Sequence, residues 1–147
     1  MPRLRVSMLL VGLLASVSAC ENPSGLSEQI DFKVTPLATQ ADPRFVAYHF
    51  EVTNRSADTI WMPACDQRIT PDVAFVVDGR TVDTMSGDVC LAIYDMSPVA
   101  LAAGATYAGE RAVFYQTGVR YVPSLSVGRD RTLERGARLQ ARAFGAN

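Results

Sequence analysis

The clearest pattern of apolar and polar positions runs through residues 44–65, which predict one long strand, a polar turn and a second strand. Along 45–53 every second residue is large and apolar, whereas the residues between them are mostly smaller or polar. Side chains alternate between the two faces of a strand, so one set is predicted to face a core and the other a wetter surface. The predicted core set is Val46, Tyr48, Phe50 and Val52, and the opposite set is Phe45, Ala47, His49, Glu51 and Thr53.

A second local pattern predicts a β-hairpin. Asp78 and Gly79 separate the apolar-rich runs 73–77 and 80–82. The pair Asp-Gly fits a two-residue type I′ turn, because both residues accept positive φ angles. Pro123 lacks a backbone donor and therefore predicts either a sheet edge or a bulge within its strand.

Further short runs of this kind cover most of the chain after residue 30, and helical periodicity is almost absent. Seven to nine short strands with regularly spaced turns predict an all-β fold, an antiparallel β-sandwich. Residues 90–94 fit either a strand or a loop. The other strand candidates are 30–34, 59–62, 99–101, 107–115, 119–127 and 137–144.

The first twenty residues have the pattern of a targeting segment. Arg3 and Arg5 precede the apolar run 8–15, which is shorter than the roughly 20 residues of a membrane-spanning helix. The run ends in Val17-Ser18-Ala19-Cys20, and here the chain resembles the bacterial lipoprotein signal with its lipobox. The resemblance implies cleavage before Cys20 and acylation of that residue. The alternative is an ordinary secretory signal in which Cys20 is an incidental thiol.

This interpretation divides the chain into a signal peptide (1–19), a lipidated cysteine with a flexible tether (20–29) and one domain (30–147). Acyl chains on Cys20 would make the membrane the first partner, because each buried methylene contributes roughly 0.8 kcal/mol. Glu21 follows the cysteine where an Asp would resemble an inner-membrane retention signal. We therefore expect a lipid-anchored protein of the cell envelope, at the outer membrane on its periplasmic side or at the cell surface, rather than at the inner membrane.

Two cysteines remain in the mature part, Cys65 and Cys90, in a compartment that favours oxidation. We predict that they form a disulfide. The alternative, a thiolate metal site, would need a CxxC pair or a nearby histidine, and the sequence around these cysteines has neither.

The layout of the domain resembles bacterial immunoglobulin-like domains and, weakly, the intracellular proteinase inhibitor family. The resemblance is carried by a strand that ends at Asn54, by an L-x-x-G-x-T-like stretch at 101–106, and by Gly118-x-x-Tyr121. It implies an immunoglobulin-like sandwich and little about activity. Because Cys65 follows its predicted strand, the disulfide is expected at the periphery of the domain.

Candidate chemistry is sparse. His49 is the only histidine, no GxSxG motif is present, and both eligible cysteines are assigned to a disulfide, so we predict no enzyme. Nothing in the sequence indicates a cofactor or a metal, because Asp72, Asp78, Asp83 and Asp88 lack the spacing of a calcium loop. The mature part loses two of the fourteen basic residues and keeps all fifteen acidic ones. Its formal charge of −3 argues against binding to nucleic acid.

The remaining candidates for a binding surface are aromatic and arginine side chains. We name Trp61, Tyr94, Arg138 and Arg142 as candidate binding residues, the two arginines belonging to the cluster between Arg129 and Arg142. That cluster either meets an anionic partner or forms a solvated face with local ion pairs. The sequence therefore predicts a non-catalytic interaction module at the cell envelope with a protein partner. The alternatives are a proteinase-inhibitor-like domain and a binder of small ligands or glycans.

Overall fold

The structure is a computed structural model that describes residues 24–38, 42–87, 93 and 95–145. Within these residues, a short helix, α1 (Ser24–Ser27), precedes the strands. The strands are β1 (Ile30–Pro36), β2 (Phe45–Asn54), β3 (Ile60–Met62), β4 (Asp72–Val77), β5 (Arg80–Met85), β6 (Val99–Leu101), β7 (Thr106–Phe114), β8 (Arg120–Val127), β9 (Ala137–Gln140) and β10 (Phe144–Gly145).

The strands form two main antiparallel sheets and one small one. Sheet 1 has the order β1-β2-β7, and sheet 2 has the order β10-β8-β4-β5, with β9 also paired to β8. A two-stranded sheet joins β3 to β6. The order β1-β2-β7 against β9/β10-β8-β4-β5 corresponds to strands A-B-E packed on G-F-C-C′ of an immunoglobulin-like sandwich. The fold is therefore the predicted immunoglobulin-like β-sandwich.

The core lies between sheets 1 and 2, and the alternation in β2 determines which side chains reach it. Tyr48, Phe50 and Val52 are buried, whereas Phe45, Ala47, His49 and Thr53 are only half-buried and Glu51 is exposed. The prediction made from the pattern of 45–53 is confirmed. Sheet 2 supplies the opposing apolar side chains, among them Val73, Phe75, Tyr121, Leu125 and Val127.

The predicted hairpin is also present, as β4 and β5 joined at Asp78 and Gly79. Both turn residues have positive φ, 49° and 76°, as a type I′ turn requires. The ladder between the two strands shifts register between Phe75 and Val76, so the outer strand of sheet 2 is bulged.

Pro123 lies in β8, a central strand of sheet 2. A bulge is present opposite Pro123, in the segment that joins β9 to β10. Gln140 pairs with Ser124 and Phe144 pairs with Tyr121. Three residues, 141–143, thus lie opposite two, 122 and 123, and they separate β9 from β10. Both alternatives predicted for Pro123 are therefore wrong: its strand is central, and the extra residue lies in the segment opposite it and not in β8.

Tyr121 closes the connection between β7 and β8. Its buried hydroxyl accepts a hydrogen bond from the backbone N–H of Gln116 (2.9 Å) and donates one to the carbonyl of Phe114 (3.1 Å). This is the tyrosine corner found at the start of strand F in immunoglobulin-like sandwiches. It supports the assignment of β8 as that strand.

Asn54, at the end of β2, is fully buried and connects two turns. Its side-chain NH₂ donates to the carbonyls of Asp58 (2.7 Å) and Leu101 (3.0 Å). Its side-chain oxygen accepts from the N–H (3.0 Å) and the hydroxyl (2.6 Å) of Ser56. All four bonds that this amide can make are therefore formed within the protein.

Ordered packing begins within the segment predicted as a tether, 20–29. Leu26 of α1 is buried in the core, and the helix lies against β9 and the start of β1. The predicted signal peptide and Cys20 lie outside the described residues, as do Cys90 and Tyr94. Cys65 lies in the loop after β3, where its backbone exchanges two hydrogen bonds of 3.0 Å with Arg68. The bridge to Cys90 remains a prediction.

Candidate functional site

Trp61, a predicted binding residue, is half-buried in β3 and contributes to packing. The guanidinium of Arg131 lies over its indole ring, 4.6 Å from the ring centroid. Its backbone exchanges two hydrogen bonds of 2.8 Å with Gly128, the residue after β8. Trp61 therefore joins the small sheet to the end of β8, and the arginine covers one face of the ring.

Arg138 and Arg142, the predicted arginines, are both exposed on the outer edge of sheet 2. Arg138 forms an ion pair with Asp72 (3.0 Å) and donates to the hydroxyl of Ser124 (2.8 and 3.1 Å). Arg138 thus links β9 to the start of β4. The structure does not bring Trp61 and these arginines into a common site.

The arginine-rich segment before β9 has local partners. Arg129 lies 3.5 Å from Asp58, and Asp130 accepts bonds from the backbone N–H groups of Thr132 (3.0 Å) and Leu133 (3.2 Å). The hydroxyl of Thr132 also donates to Asp130 (2.7 Å), and these bonds lower the pKa of that carboxyl. The geometry favours a solvated face with local ion pairs over a basic surface.

His49 lies on the outer face of sheet 1, as the strand pattern predicted. Its Nε2 is 3.5 Å from the carboxylate of Glu51 on the same strand, and Glu110 lies opposite it on β7. Among the described ranges, no group of three or more His, Cys, Asp or Glu side chains is placed to hold a metal ion.

Among the described residues, the most exposed aromatic side chains lie at one end of sheet 1. Phe45 opens β2 and pairs with Phe114, the last residue of β7, and their rings stack with centroids 4.9 Å apart. Phe114 is 56% exposed and the adjacent Tyr115 is 41% exposed. We call the stacked pair of Phe45 and Phe114 the distal aromatic patch. Arg44 extends over the open ring of Phe45, 5.9 Å from its centroid.

Arg44 is itself positioned by a carboxylate. Asp42 accepts hydrogen bonds from the backbone and the guanidinium of Arg44, and the guanidinium bonds lower the pKa of Asp42. The charge of Arg44 is thus locally balanced, and the net character of the patch is aromatic.

The patch lies at the end of sheet 1 opposite to the point where the chain enters the domain. The first residue of β1, Ile30, pairs with Asn54 at the far end of β2 from Phe45. The ten residues of β2 span roughly 30 Å at the usual rise per residue. Helix α1 contacts the start of β1, so the chain enters the domain at the end away from the patch.

Next to the distal aromatic patch, the outer face of sheet 1 carries small side chains. Ala47 pairs with Ala112 directly beside the two stacked phenylalanines. Next along the ladder, His49 pairs with Glu110, and Glu51 pairs with Ala108. Aromatic rings next to a shallow alanine surface leave room for the side chains of another molecule.

A separate cavity of about 210 Å³ opens near the start of β4. Apolar side chains of Pro63, Ala64 and Met96 line it together with Arg68 and Asp72. Both carboxylate oxygens of Asp72 are engaged, one by Arg138 (3.0 Å) and one by the N–H of Gly87 (2.7 Å). The cavity therefore offers mainly apolar contact.

Sequence reasoning did not single out Phe45 or Phe114 as binding residues. The available signal was a large aromatic residue, Phe45, on the face of β2 otherwise occupied by small and polar residues. Two other tyrosines contribute to packing: Tyr121 is buried, and the hydroxyl of Tyr107 accepts a hydrogen bond from the backbone N–H of Ile69 (3.1 Å).

No protein-family model matches the sequence, and no curated protein matches it. Among the described residues, none forms a helix with the length and apolar character needed to cross a membrane.

Solved structures do resemble the chain. The Northeast Structural Genomics Consortium target SoR45 is 9% identical, with a TM-score of 0.54 over 79% of this chain and 84% of that one. A Bordetella pertussis protein assigned as ApaA is 16% identical, with a TM-score of 0.49 over 78% and 89%. A PapD-like domain of human CEP192 is 14% identical, with a TM-score of 0.38 over 99% and 100%. At these identities the likeness to SoR45 concerns the fold alone, and the chain is an immunoglobulin-like β-sandwich.

Proposed function

We propose that this chain is a lipid-anchored, non-catalytic binding module of a bacterial cell envelope, and that its distal aromatic patch contacts a protein partner. The observation that carries the proposal is the stacked pair of the half-buried Phe45 and the exposed Phe114, at the end of sheet 1 away from the N-terminal attachment. Exposed aromatic side chains that cluster on a rigid surface are typical of interaction sites.

The anchor follows from the lipobox at 17–20. Only residues 21–23 separate Cys20 from the first residue of α1, so acyl chains on Cys20 would hold the domain close to the membrane surface. The end of sheet 1 that carries α1 and Ile30 would face the lipid. The distal aromatic patch would then face away from the membrane, which favours a protein over a lipid as its ligand.

The backbone beneath the patch supports a contact with a well-defined geometry. The N–H of Tyr115 donates to the carbonyl of Arg44 (2.8 Å), which extends the β2–β7 ladder by one pair beyond Phe45 and Phe114. Val113, next to Phe114, is buried in the core. The aromatic rings are thus presented on paired strands, and little conformational entropy is lost when a partner covers them.

A glycan is the second candidate ligand, because the same aromatic pair forms an exposed, flat apolar surface. The Phe45–Phe114 stack and the adjacent alanines would contact the apolar face of a sugar ring. The two candidates differ in what the patch should retain from an envelope extract: one specific polypeptide, or soluble envelope polysaccharide. The proteinase-inhibitor hypothesis rests on the sequence resemblance alone, and residual protease activity with the purified domain would measure it.

The experiment is affinity capture from a detergent-solubilised native envelope, with three versions of the lipidated protein. Phe114→Ser removes an exposed ring of the patch, and Val82→Ser removes an exposed apolar side chain from β5 of the other sheet, where Val82 is 60% exposed. We expect the unsubstituted protein and Val82→Ser to retain the same polypeptide and Phe114→Ser to lose it. Equal capture by all three versions would refute the patch as the binding surface.

A further inference from the structure

Strand β7 forms an edge of sheet 1, and the hydrogen-bonding pattern identifies which of its backbone groups point outward. Tyr115 donates to Arg44, so residues 44 and 115 form a hydrogen-bonded pair of the antiparallel ladder. Such pairs alternate with pairs whose N–H and C=O groups point away from the partner strand. The pairs that alternate with 44/115 place outward-pointing N–H and C=O groups on every second residue of β7. These residues are Phe114, Ala112, Glu110, Ala108 and Thr106.

The same five residues also carry side chains on the outer face of sheet 1, next to the distal aromatic patch. All five are exposed. Within the described residues, β7 pairs only with β2, and the backbone hydrogen bonds outside the ladders involve its flanking residues Ala105 and Tyr115. The carbonyl of Phe114 accepts from the Tyr121 hydroxyl (3.1 Å). The other edge-facing donors and acceptors form a row, unpaired within the described residues, that leads up to the exposed ring of Phe114.

The other edges of sheets 1 and 2 are each interrupted by a feature that hinders strand addition. Strand β1 ends in Pro36 and carries the exposed Lys33. Strand β5 pairs through a register shift, and β9 is separated from β10 by residues 141–143. Proline, lysine, bulges and short strands are the usual means by which proteins block edge-to-edge pairing. Strand β7 runs for nine residues with no proline and no register shift.

We infer that the edge of β7 binds an extended segment of a partner protein as an additional antiparallel strand. The inference rests on the proposed function, since it describes how the partner of the distal aromatic patch is held. Main-chain hydrogen bonds to the edge supply affinity in this mode of recognition, and alternate side chains supply specificity. Here Phe114, Ala112 and Glu110 supply the specificity, because their side chains lie on the outer face along that edge.

The residues along the edge define the chemistry of the segment. An apolar side chain opposite Phe114 would pack on the exposed ring, and a larger apolar side chain fits above Ala112. A basic side chain opposite Glu110 would form a cross-strand pair of opposite charge. The expected partner segment is therefore extended, with apolar, apolar and basic residues at every second position.

A second copy of this chain fits the edge less well. In the symmetric antiparallel arrangement that pairs the whole strand with itself, Glu110 is the central residue of Thr106–Phe114 and meets Glu110 of the second copy. Like charges directly opposite each other destabilise a strand pair. Charge complementarity thus selects a different protein with a basic residue at this position.

The test uses a synthetic nine-residue peptide with leucine, valine and lysine at its first, third and fifth positions and threonine elsewhere. Hydrogen exchange of the full-length protein is followed residue by residue by NMR. We expect the peptide to slow exchange by about tenfold at the amides of residues 108, 110 and 112, whereas the amides of 109 and 111 are already protected in the ladder. A change that does not alternate in this way would overturn strand addition.

Two variants make the result specific. Ala112→Pro removes an edge-facing N–H and should abolish the protection, while Thr84→Pro does the same on β5 and should leave it unchanged. Replacing lysine by glutamate in the peptide should weaken binding about fivefold, and Glu110→Lys should restore it. Concentration-dependent protection of the same amides without peptide, together with dimers in sedimentation, would overturn the inference in favour of a second copy.

Capture of the envelope partner by the two variants distinguishes a failure of strand addition from a failure of the proposed function. If Phe114→Ser abolishes capture of the envelope partner while Ala112→Pro retains it, the interaction module stands and strand addition is refuted. If both variants capture the partner as well as the unsubstituted protein does, the distal aromatic patch and the edge are both excluded.

Discussion

Arg111 lies directly opposite Tyr48 in the β2–β7 ladder, and its side chain crosses the space between the two sheets. One guanidinium nitrogen donates to the carbonyl of Pro71, just before β4, and another donates to the carbonyl of Ser86 (2.8 Å), just after β5. The hydroxyl of Tyr48 is buried without a hydrogen-bond partner among the described residues. The inward arginine is thus satisfied, whereas the tyrosine hydroxyl beside it is not.

Replacing this tyrosine by phenylalanine is therefore expected to cost no stability near neutral pH. Tyr48→Phe removes an unsatisfied buried hydroxyl and keeps the ring that packs on Phe144 at 5.4 Å. An unpaired buried hydroxyl costs about 1–3 kcal/mol, so the free energy of unfolding should stay the same or rise. Chemical denaturation of both proteins measures the difference. A loss of more than about 1 kcal/mol would show that the hydroxyl makes a stabilising bond.

The buried hydroxyl of Tyr48 also predicts that the wild type and Tyr48→Phe differ in stability at alkaline pH. Burial raises the pKa of Tyr48 above its ordinary value of 10.0, so the unfolded chain releases this proton at a lower pH than the folded protein does. The stabilising contribution is complete below pH 10 and is lost as the pH rises toward the folded pKa. Between these values the free energy of unfolding should fall by about 1.4 kcal/mol per pH unit more in the wild type than in Tyr48→Phe. Parallel curves for the two proteins above pH 10 would contradict the shift.

Asn54 is predicted to be among the most sensitive polar positions. Asn54→Ala leaves the carbonyls of Asp58 and Leu101 without their donor and Ser56 without its acceptor. The loss should be at least about 2 kcal/mol, because each buried group left unpaired costs 1–3 kcal/mol. The matched control is the neighbouring exposed residue, Arg55→Ala, which breaks only a surface ion pair with Asp31. Equal melting temperatures for the two variants would rule out this role of Asn54.

The predicted bridge between Cys65 and Cys90 can be tested by stability under two redox conditions. It would close a loop of about 25 residues and stabilise the domain by roughly 3 kcal/mol on the chain-entropy model. Cys65→Ser should lower the melting temperature by several degrees and make it independent of reductant. If the wild type melts at the same temperature with and without reductant, the two cysteines do not form a bridge.

The predicted lipid anchor depends on Cys20. Cys20→Ala should move the protein from the membrane fraction to the soluble fraction, because several acyl chains hold a protein far more firmly than a short apolar segment does. Metabolic labelling with a fatty-acid analogue gives an independent readout. A variant that stays in the membrane fraction and still incorporates the label would refute acylation at this residue.

Local patterns in the sequence were sufficient to predict most of the fold. The alternation along β2 identified Tyr48 and Phe50 as core residues, and Asp78-Gly79 identified the hairpin. These predictions succeed because alternation and positive φ are properties of adjacent residues. The role of Asn54 was not predictable in the same way, because its donor reaches Leu101, which is 47 positions further along the chain.

The candidate site was harder to predict from the sequence, because it too depends on contacts between residues far apart in the chain. Phe114 ends an ordinary amphipathic strand, and only its pairing with Phe45 across 69 positions creates an aromatic surface. The unpaired edge of β7 depends on the path of the whole sheet. Leu26 similarly lies in the segment predicted as a flexible tether, although the packing of α1 against β9 and β1 buries it.

The most direct measurement is site-specific photocrosslinking in intact cells, with a photoreactive phenylalanine analogue in place of Phe114 or, as a control, of Val82. The proposed account predicts one discrete crosslinked polypeptide at position 114 and none at position 82, because only the first position lies in the distal aromatic patch. If the same polypeptides are crosslinked at both positions, or if no polypeptide is crosslinked at position 114, the result would contradict a protein partner at this surface.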